Sequence, residues 1–309
     1  MAQIMDGNKL SMDIRGKVEK EVGLLNESGI DVGLGLLHAG ENPASMQYLK
    51  ATLSSCKKTG IRAFQFDLPE TSSLNEILNL IHSINRDERI NGLLVLLPLP
   101  DRINPRRVVN EIVPEKDIDG LGSLSVGRLA ADESTFQILQ ERDYEALYSI
   151  NPMSLSAGFL PCTPFGVIRL LEYYGIDVKG KHAVVIGKSL AVGKPMSLML
   201  LAKEATVTVC HKATSDLGYF TRQADIICTA TGIRGLVTAD MVKDGAVVVD
   251  IGINVLKDGS IVGDVDFEAV EKKASFITPV PGGVGTVTIS MLLENTVRSA
   301  KTGQFLKHF

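Results

Sequence analysis

The chain lacks tryptophan, is poor in aromatic residues and has no closely paired cysteines. Aromatic side chains account for 5% of its residues, and the four cysteines are widely scattered without a C-x-x-C pair. This spacing is not that of a disulfide framework and indicates a reduced, intracellular protein. The five histidines, including His38 and His82, show no metal-ligand spacing. We therefore predict no metal site and expect each histidine to be a structural or surface residue.

Basic charge and long apolar runs are also missing. The formal net charge is -4, and the pI near 5.8 gives no general attraction to nucleic acid or anionic membranes. No stretch is apolar over the length that spans a bilayer, and the first residues show no basic segment followed by an apolar run. The sequence therefore predicts a soluble, cytoplasmic protein, and 309 residues are enough for two domains.

Short apolar runs alternate with segments of helical period along most of the chain. The runs at 32–37, 92–97, 184–186, 206–209, 226–228 and 246–251 are typical of strands buried on both faces, as in parallel sheets. Helical spacing is clear in the segment 75–84, where Ile77, Leu80, Ile81 and Ile84 share one face. We predict an α/β protein with one domain at 1–152 and a second at 153–286. The last helical segment, within 287–309, is expected to pack back on the first domain.

One turn indicates a dinucleotide. An apolar run beginning at Val184 ends at Gly187, and Gly193 opens the next helical segment. Such glycines let a backbone approach a pyrophosphate, whose charge the helix N-terminus would hold. Ser189 stands where the second glycine of G-x-G-x-x-G would be, so the turn alone indicates a cofactor site and an ordinary strand-to-helix turn about equally. The next predicted strand ends at His211, where a ribose site is expected.

Seven motifs, in order over nearly the whole chain, resemble the methylenetetrahydrofolate dehydrogenase/cyclohydrolase family. They are the segments 42–48 (NPASMQY), 97–100 (LPLP), 116–120 (KDIDG), 126–129 (VGRL), 161–164 (PCTP), 250–254 (DIGIN) and 278–285 (TPVPGGVG). The resemblance implies two α/β domains flanking a cleft. Folate would be bound by the N-terminal domain and NADP by the C-terminal, Rossmann-like domain. It also implies a homodimer.

The resemblance also assigns roles to residues. Asp119 would bind the amino-pyrimidine edge of the pterin, since a carboxylate can accept two hydrogen bonds there, and Tyr48 would stack along the substrate ring. The other predicted substrate-binding residues are Ser45, Leu96, Pro281, Gly282 and Gly283. The predicted cofactor-binding residues are Gly187, Lys188, Ser189, Val192, Gly193, His211, Lys212, Thr214, Thr231, Gly232 and Ile253. Positive charge at Lys188 and Lys212 favours NADP over NAD.

Several positions depart from the family pattern. A lysine and a glutamine that serve the cyclohydrolase step in the family are replaced by Thr52 and Leu96, neither of which can accept a proton near neutral pH. Gly122 and Ser125 replace a histidine and an asparagine. We therefore expect a dehydrogenase with weak or absent cyclohydrolase activity. The segment 130–158 is longer than in the family and could be a lid, an oligomer contact, a binding surface or a tolerated surface insertion.

Three other functions remain open from the residues. The chain could be an ordinary bifunctional dehydrogenase/cyclohydrolase that uses another base. It could instead be a non-catalytic regulatory paralogue that keeps its dinucleotide domain while its folate pocket has decayed. Finally, it could be a dehydrogenase that acts on a different one-carbon carrier, in which case Leu96 and Gly122 are adaptations to another ring system.

Overall fold

A computed structural model describes residues 1–131 and 158–306. The chain forms two compact α/β units. One comprises residues 1–12 and 163–288 and is called the six-stranded unit here; the other comprises 13–162 and 289–309 and is called the three-stranded unit. The predicted domain boundary at 152/153 and nearly all of the predicted 130–158 insertion lie outside the described residues. No helix in the described parts is long and apolar enough to cross a membrane.

The elements are numbered along the chain. The strands are β1 (Gln3–Ile4), β2 (Gly33–Ala39), β3 (Arg62–Leu68), β4 (Gly92–Val95), β5 (His182–Ile186), β6 (Thr206–Cys210), β7 (Ile226–Thr229), β8 (Val247–Asp250), β9 (Asn254–Val255), β10 (Ile261–Val262) and β11 (Phe276–Ile277). The helices are α1 (Gly7–Glu27), α2 (Pro43–Thr59), α3 (Leu74–Arg86), α4 (Pro105–Val109), α5 (Ser123–Ala131), α6 (Cys162–Tyr173), α7 (Gly193–Ala202), α8 (Leu217–Thr221), α9 (Phe267–Val270) and α10 (Val284–Leu306). Short 3-10 turns lie at Pro114–Lys116 and Ala239–Met241.

The three-stranded unit is built on a parallel sheet of order β3-β2-β4. Strand β2 is central and buried at every position, which explains its continuous apolar run. Helix α3 begins with a capping box between Ser73 and Glu76. It buries Ile77, Ile81 and Ile84, the face predicted from their spacing, against one side of the sheet. Successive right-handed crossovers in opposite directions place α2 on the other side.

The six-stranded unit has a parallel sheet of order β1-β11-β8-β7-β5-β6. The chain passes from β5 to β6 on one side, and β7 then returns to the other side of β5. This reversal is the feature that places ligands at the carboxyl ends of the strands in doubly wound folds. The fold is thus Rossmann-like, as predicted.

The N-terminus differs from the predicted domain limits. Strand β1 pairs in parallel with β11, with Gln3 opposite Phe276 and Ile4 opposite Ile277. Residues 1–12 therefore belong with the six-stranded unit, although the sequence placed them in the first domain. A two-residue strand carries no readable period, so only its backbone partner defines it.

The C-terminal helix packs on the three-stranded unit, as predicted. The side-chain amide of Asn295 donates to the carbonyl of Ile118 over 2.8 Å. The Ser299 hydroxyl lies 2.6 Å from the carbonyl of Asn91 and 2.7 Å from that of Glu115. These polar contacts anchor α10 to two loops of the unit, while Leu292, Leu293 and Val297 of the same helix are fully buried.

Candidate functional site

Helix α2 connects the predicted folate-site residues to the end of β4. Asn42 caps the helix by accepting hydrogen bonds from the backbone N–H groups of Ala44 and Ser45, both over 3.1 Å. The Ser45 hydroxyl donates to the carbonyl of Leu97 over 2.9 Å. Ser45 thus fixes the start of α2 against the segment that follows β4, and Tyr48 lies on the next turn.

Asp117 organises the loop that carries Asp119. Its carboxylate accepts hydrogen bonds from the N–H groups of Leu121 (3.1 Å) and Gly122 (2.9 Å) and from the Ser125 hydroxyl (2.7 Å). A Cβ at position 122 would lie 2.8 Å from the Asp117 carboxylate. The missing side chain of Gly122 and the hydroxyl of Ser125 therefore both accommodate the Asp117 carboxylate.

Tyr48, Asp119 and Cys162 form a second polar group. Burial raises the pKa of Asp119 to about 7, helped by the charge of Asp117 and opposed by a hydrogen bond with the Cys162 thiol. Burial and the nearby Asp119 raise the pKa of both Tyr48 and Cys162 well above their ordinary values. Asn295 donates to the Cys162 sulfur over 3.4 Å. At neutral pH Tyr48 and Cys162 keep their protons, and Asp119 alone of the three titrates.

Sequence reasoning missed part of this cluster. The sequence marks Asp117 and Cys162 only as members of motifs, and it does not distinguish Asn295 from its neighbours. The KDIDG and PCTP motifs were the available signal for the first two, because chemistry-bearing side chains lie inside them. Asn295 has no such signal, since its contacts at Ile118 and Cys162 are 177 and 133 positions away in sequence.

Thr52 and Leu96 provide no proton acceptor. The Thr52 hydroxyl donates to the carbonyl of Tyr48 over 2.8 Å, within its own helix. Its exposed fraction is 0%, and that of Leu96 is 3%. Both side chains therefore lie in the interior of the unit.

The β5–α7 turn brings two stretches of backbone close together. Gly187 has φ +117°, and a Cβ there would lie 2.6 Å from the carbonyl oxygen of Ala230. A Cβ at Gly193 would overlap the carbonyl oxygen of Gly187. Only glycine therefore fits at these two positions of the turn, which is called the glycine cradle below.

Ser189 has a different part from the one that the glycine pattern implies. Its hydroxyl accepts from the N–H groups of Val192 (3.1 Å) and Gly193 (3.3 Å), so it caps the start of α7. Those two N–H groups are therefore already partnered inside the turn. Lys188 and Lys212 are both exposed, and the His211–Thr214 loop is closed by a bond from the His211 N–H to the Thr214 hydroxyl (3.0 Å).

The predicted cofactor residues all follow carboxyl ends of strands in the six-stranded sheet. Gly187, Lys188, Ser189, Val192 and Gly193 follow β5; His211, Lys212 and Thr214 follow β6; Thr231 and Gly232 follow β7; Ile253 follows β8. The sheet therefore brings together, at one edge, residues that are far apart in sequence.

Two buried aspartates, Asp250 and Asp264, accept hydrogen bonds from the loops at this edge. The sequence assigned neither of them to the site. Asp264 accepts from the N–H of Thr231 (2.6 Å), the Thr231 hydroxyl (2.8 Å) and the Thr229 hydroxyl (3.1 Å). Asp250 accepts from the N–H groups of Gly252 (2.9 Å), Asp264 (3.0 Å) and Val265 (2.9 Å).

Each of the two carboxylates lies against the segment that carries the other, and Asp250 and Asp264 are therefore called the crossed aspartates. A Cβ at Gly252 would overlap the Asp264 carboxylate, and one at Gly263 would overlap that of Asp250. Each glycine therefore makes room for the aspartate of the opposite segment. Burial raises the pKa of Asp250 to about 6, against the effect of its backbone hydrogen bonds.

The structure does not place all predicted substrate residues in one unit. Ser45, Tyr48, Leu96 and Asp119 belong to the three-stranded unit, whereas Pro281, Gly282 and Gly283 belong to the six-stranded unit. There the carbonyl of Gly282 accepts from the N–H of Gly7 over 2.9 Å. Their joint contact with one substrate stays a prediction. No group of three or more His, Cys, Asp or Glu side chains in residues 1–131 and 158–306 could hold a metal ion.

Comparison with known proteins matches both parts of the chain to one family. Residues 5–119 match the catalytic domain of tetrahydrofolate dehydrogenase/cyclohydrolase, and residues 161–304 match its NAD(P)-binding domain. The bifunctional protein FolD of Campylobacter jejuni is 46% identical over 298 residues, which cover 96% of this chain and 98% of the relative.

Solved structures of this family are similar to the chain over nearly its whole length. The crystal structure of the bifunctional enzyme FolD from Campylobacter jejuni has a TM-score of 0.84 at 46% identity, covering 97% of this chain and 99% of that one. The Trypanosoma brucei FolD structure, complexed with NADP cofactor and inhibitor, has a TM-score of 0.86 at 33% identity, with 98% of each chain covered.

Proposed function

Since the chain belongs to the tetrahydrofolate dehydrogenase/cyclohydrolase family, we propose that it oxidises 5,10-methylenetetrahydrofolate to 5,10-methenyltetrahydrofolate with NADP. The observation that carries this proposal is the half-buried pair of Tyr48 and Asp119 in one unit, near enough to each other for the Asp119 charge to raise the pKa of the Tyr48 hydroxyl. By the family resemblance, the dehydrogenase uses an aromatic ring that stacks on the substrate and a carboxyl group that accepts hydrogen bonds from it.

On the substrate side, residues of the three-stranded unit bind and orient the folate. The ionised Asp119 accepts two hydrogen bonds from the amino-pyrimidine edge, and Tyr48 lies along the ring. Asp117 keeps the Asp119 loop in place through its three hydrogen bonds. No protein base is needed, because loss of a hydride leaves a cation that two nitrogens of the substrate stabilise. Rate enhancement then comes from alignment.

On the cofactor side, NADP supplies the hydride acceptor when bound. The glycine cradle at Gly187 and Gly193 would hold the pyrophosphate, and the exposed Lys188 and Lys212 would attract the 2′-phosphate. Asp264 fixes the Thr231–Gly232 segment at the same sheet edge. The Trypanosoma brucei relative binds NADP in its crystal structure, which supports this choice over NAD.

Cyclohydrolase activity is proposed to be weak. Thr52 is bonded within its helix, and Leu96 is apolar and buried, so neither can take the proton of an attacking water. Ordinary bifunctional activity is the second candidate, because the Campylobacter jejuni relative at 46% identity carries a bifunctional name. A homodimer is proposed from the family resemblance. The 130–158 segment is proposed to be a lid, an oligomer contact, a binding surface or a tolerated surface insertion.

A coupled absorbance assay tests the proposal. Purified protein is given 5,10-methylenetetrahydrofolate with NADP or with NAD, and reduced cofactor and methenyl product are followed. We expect reduction of NADP, slower reduction of NAD, and accumulation of the methenyl product. Rapid loss of added methenyltetrahydrofolate would favour the bifunctional candidate. NADP binding without any turnover would favour a regulatory paralogue or another one-carbon carrier.

The rate should depend on pH through Asp119. Its pKa of about 7 lies above the ordinary carboxyl value, so the free protein loses the binding-competent carboxylate as the pH falls through 7. Since kcat/KM reports ionisations of the free enzyme, it should fall about tenfold per pH unit below that point. Initial rates at subsaturating folate between pH 5.5 and 8.5 measure this. A flat profile across that range contradicts the assignment.

A further inference from the structure

His38 has an unusual environment for a histidine that the sequence predicts to be a structural or surface residue. It lies in β2 with an exposed fraction of 3%. Its Nε2 atom is buried and has no hydrogen-bond partner among the described residues. A buried polar atom without a partner costs free energy, so it calls for a ligand or a chemical role.

The register of the sheet places His38 beside Leu96. Leu37 pairs with Val95 in parallel, and the N–H of Leu96 donates to the carbonyl of Leu37 over 2.9 Å. His38 in β2 and Leu96, the first residue after β4, are therefore the next pair of neighbours, and paired strands lie about 4.8 Å apart. Leu37 and Val95 face the core formed with α3. Because side chains alternate along a strand, His38 and Leu96 point to the opposite face.

Helix α2 covers that opposite face. The Ser45 hydroxyl reaches the carbonyl of Leu97, directly after Leu96, over 2.9 Å. Thr52, two turns along α2, has an exposed fraction of 0% and so lies on the buried side of the helix. His38 consequently shares one layer with Thr52 and Leu96, the two positions where the family's proton-handling lysine and glutamine are missing.

We propose that His38 is the catalytic base that supplies the weak hydrolysis of the methenyl product in this chain. The inference rests on the proposed function, since it takes the same folate pocket and substrate. A water oxygen forms a bond to the methenyl carbon and gives one proton to Nε2. The C–N5 bond then breaks as the remaining hydroxyl proton moves to N5, which leaves a 10-formyl product. His38 returns its proton to solvent, so the net products are the formyl compound and one proton.

Hydrolysis of methenyltetrahydrofolate by the full chain, without NADP, tests this proposal. His38→Gln keeps a polar side chain of similar size but removes the base. Its kcat for hydrolysis should fall about 100-fold, a typical contribution of a positioned base, with a much smaller change in dehydrogenase kcat. His82→Gln is the matched control, because His82 is exposed and paired with Glu111 over 2.7 Å. His38→Asn serves if the glutamine variant does not fold, and thermal melting verifies folding of every variant.

The outcomes separate this proposal from the proposed function. Wild-type hydrolysis no faster than in buffer overturns the role of His38, as does a His38→Gln variant that hydrolyses at the wild-type rate. Absence of NADP reduction by the wild type overturns the dehydrogenase instead. Hydrolysis that depends on His38 would stand even then.

Discussion

Replacing Asp119 with alanine should reduce kcat/KM for 5,10-methylenetetrahydrofolate by about 100- to 10,000-fold. Each hydrogen bond to a charged partner contributes about 1.5–3 kcal/mol, and the proposed site loses two of them. The raised pKa of Asp119, about 7, shows that burial disfavours its charged form. Removing this carboxyl group should therefore not destabilise the fold at neutral pH. Steady-state rates at varied folate and saturating NADP measure the effect.

The matched control for Asp119→Ala is Asp13→Asn, since Asp13 is exposed on α1. It should leave kcat/KM unchanged. Asp119→Asn refines the result, because an amide keeps the size of the side chain but cannot accept both hydrogen bonds. If Asp119→Asn retained the wild-type kcat/KM, Asp119 would not bind the substrate as a carboxylate.

Gly193→Ala should abolish tight cofactor binding. The added Cβ would overlap the carbonyl oxygen of Gly187. Neither atom can rotate away, because the backbone fixes the position of a Cβ and the oxygen belongs to the backbone. The turn would have to open, which removes the surface proposed to hold the pyrophosphate. We expect the Kd for NADP, measured by fluorescence titration, to rise at least about 100-fold, equivalent to about 2.7 kcal/mol.

A control and a second readout separate this effect from general unfolding. Gly23 in α1 has open space around the position of a Cβ, so Gly23→Ala should leave NADP binding intact and should slightly stabilise the helix. The Gly193→Ala protein should still show a cooperative melting transition by circular dichroism. An unchanged Kd for NADP would show that the cofactor does not use this turn.

Much of the architecture could be predicted because it depends on local patterns. Continuous apolar runs identified β2, β5 and β8, and the spacing of Ile77, Ile81 and Ile84 identified the buried face of α3. The family resemblance was confirmed by matches over residues 5–119 and 161–304.

What could not be predicted depends on contacts between distant segments. Asp264 lies in the short stretch Val262-Gly-Asp-Val265, which looks like an ordinary turn in the sequence. It contacts Thr231 only because strand order places two loops at one edge. His38 looked like any buried histidine, and its position beside Leu96 follows from the register of β2 and β4. Ser189 was read through a glycine pattern, whereas its hydroxyl caps a helix.

The crossed aspartates have a consequence for protein engineering. Strands β9 and β10 form an antiparallel hairpin between Gly252 and Gly263, the two glycines that the crossed aspartates contact. The tip of this hairpin, at Lys257, Asp258 and Gly259, is exposed. Asp250 and Asp264 close the base of this hairpin, so changes at its tip need not be transmitted to the Thr231 segment. The exposed tip is therefore a permissive position for inserting an epitope or a fluorophore, beside the sheet edge that is proposed to bind the cofactor.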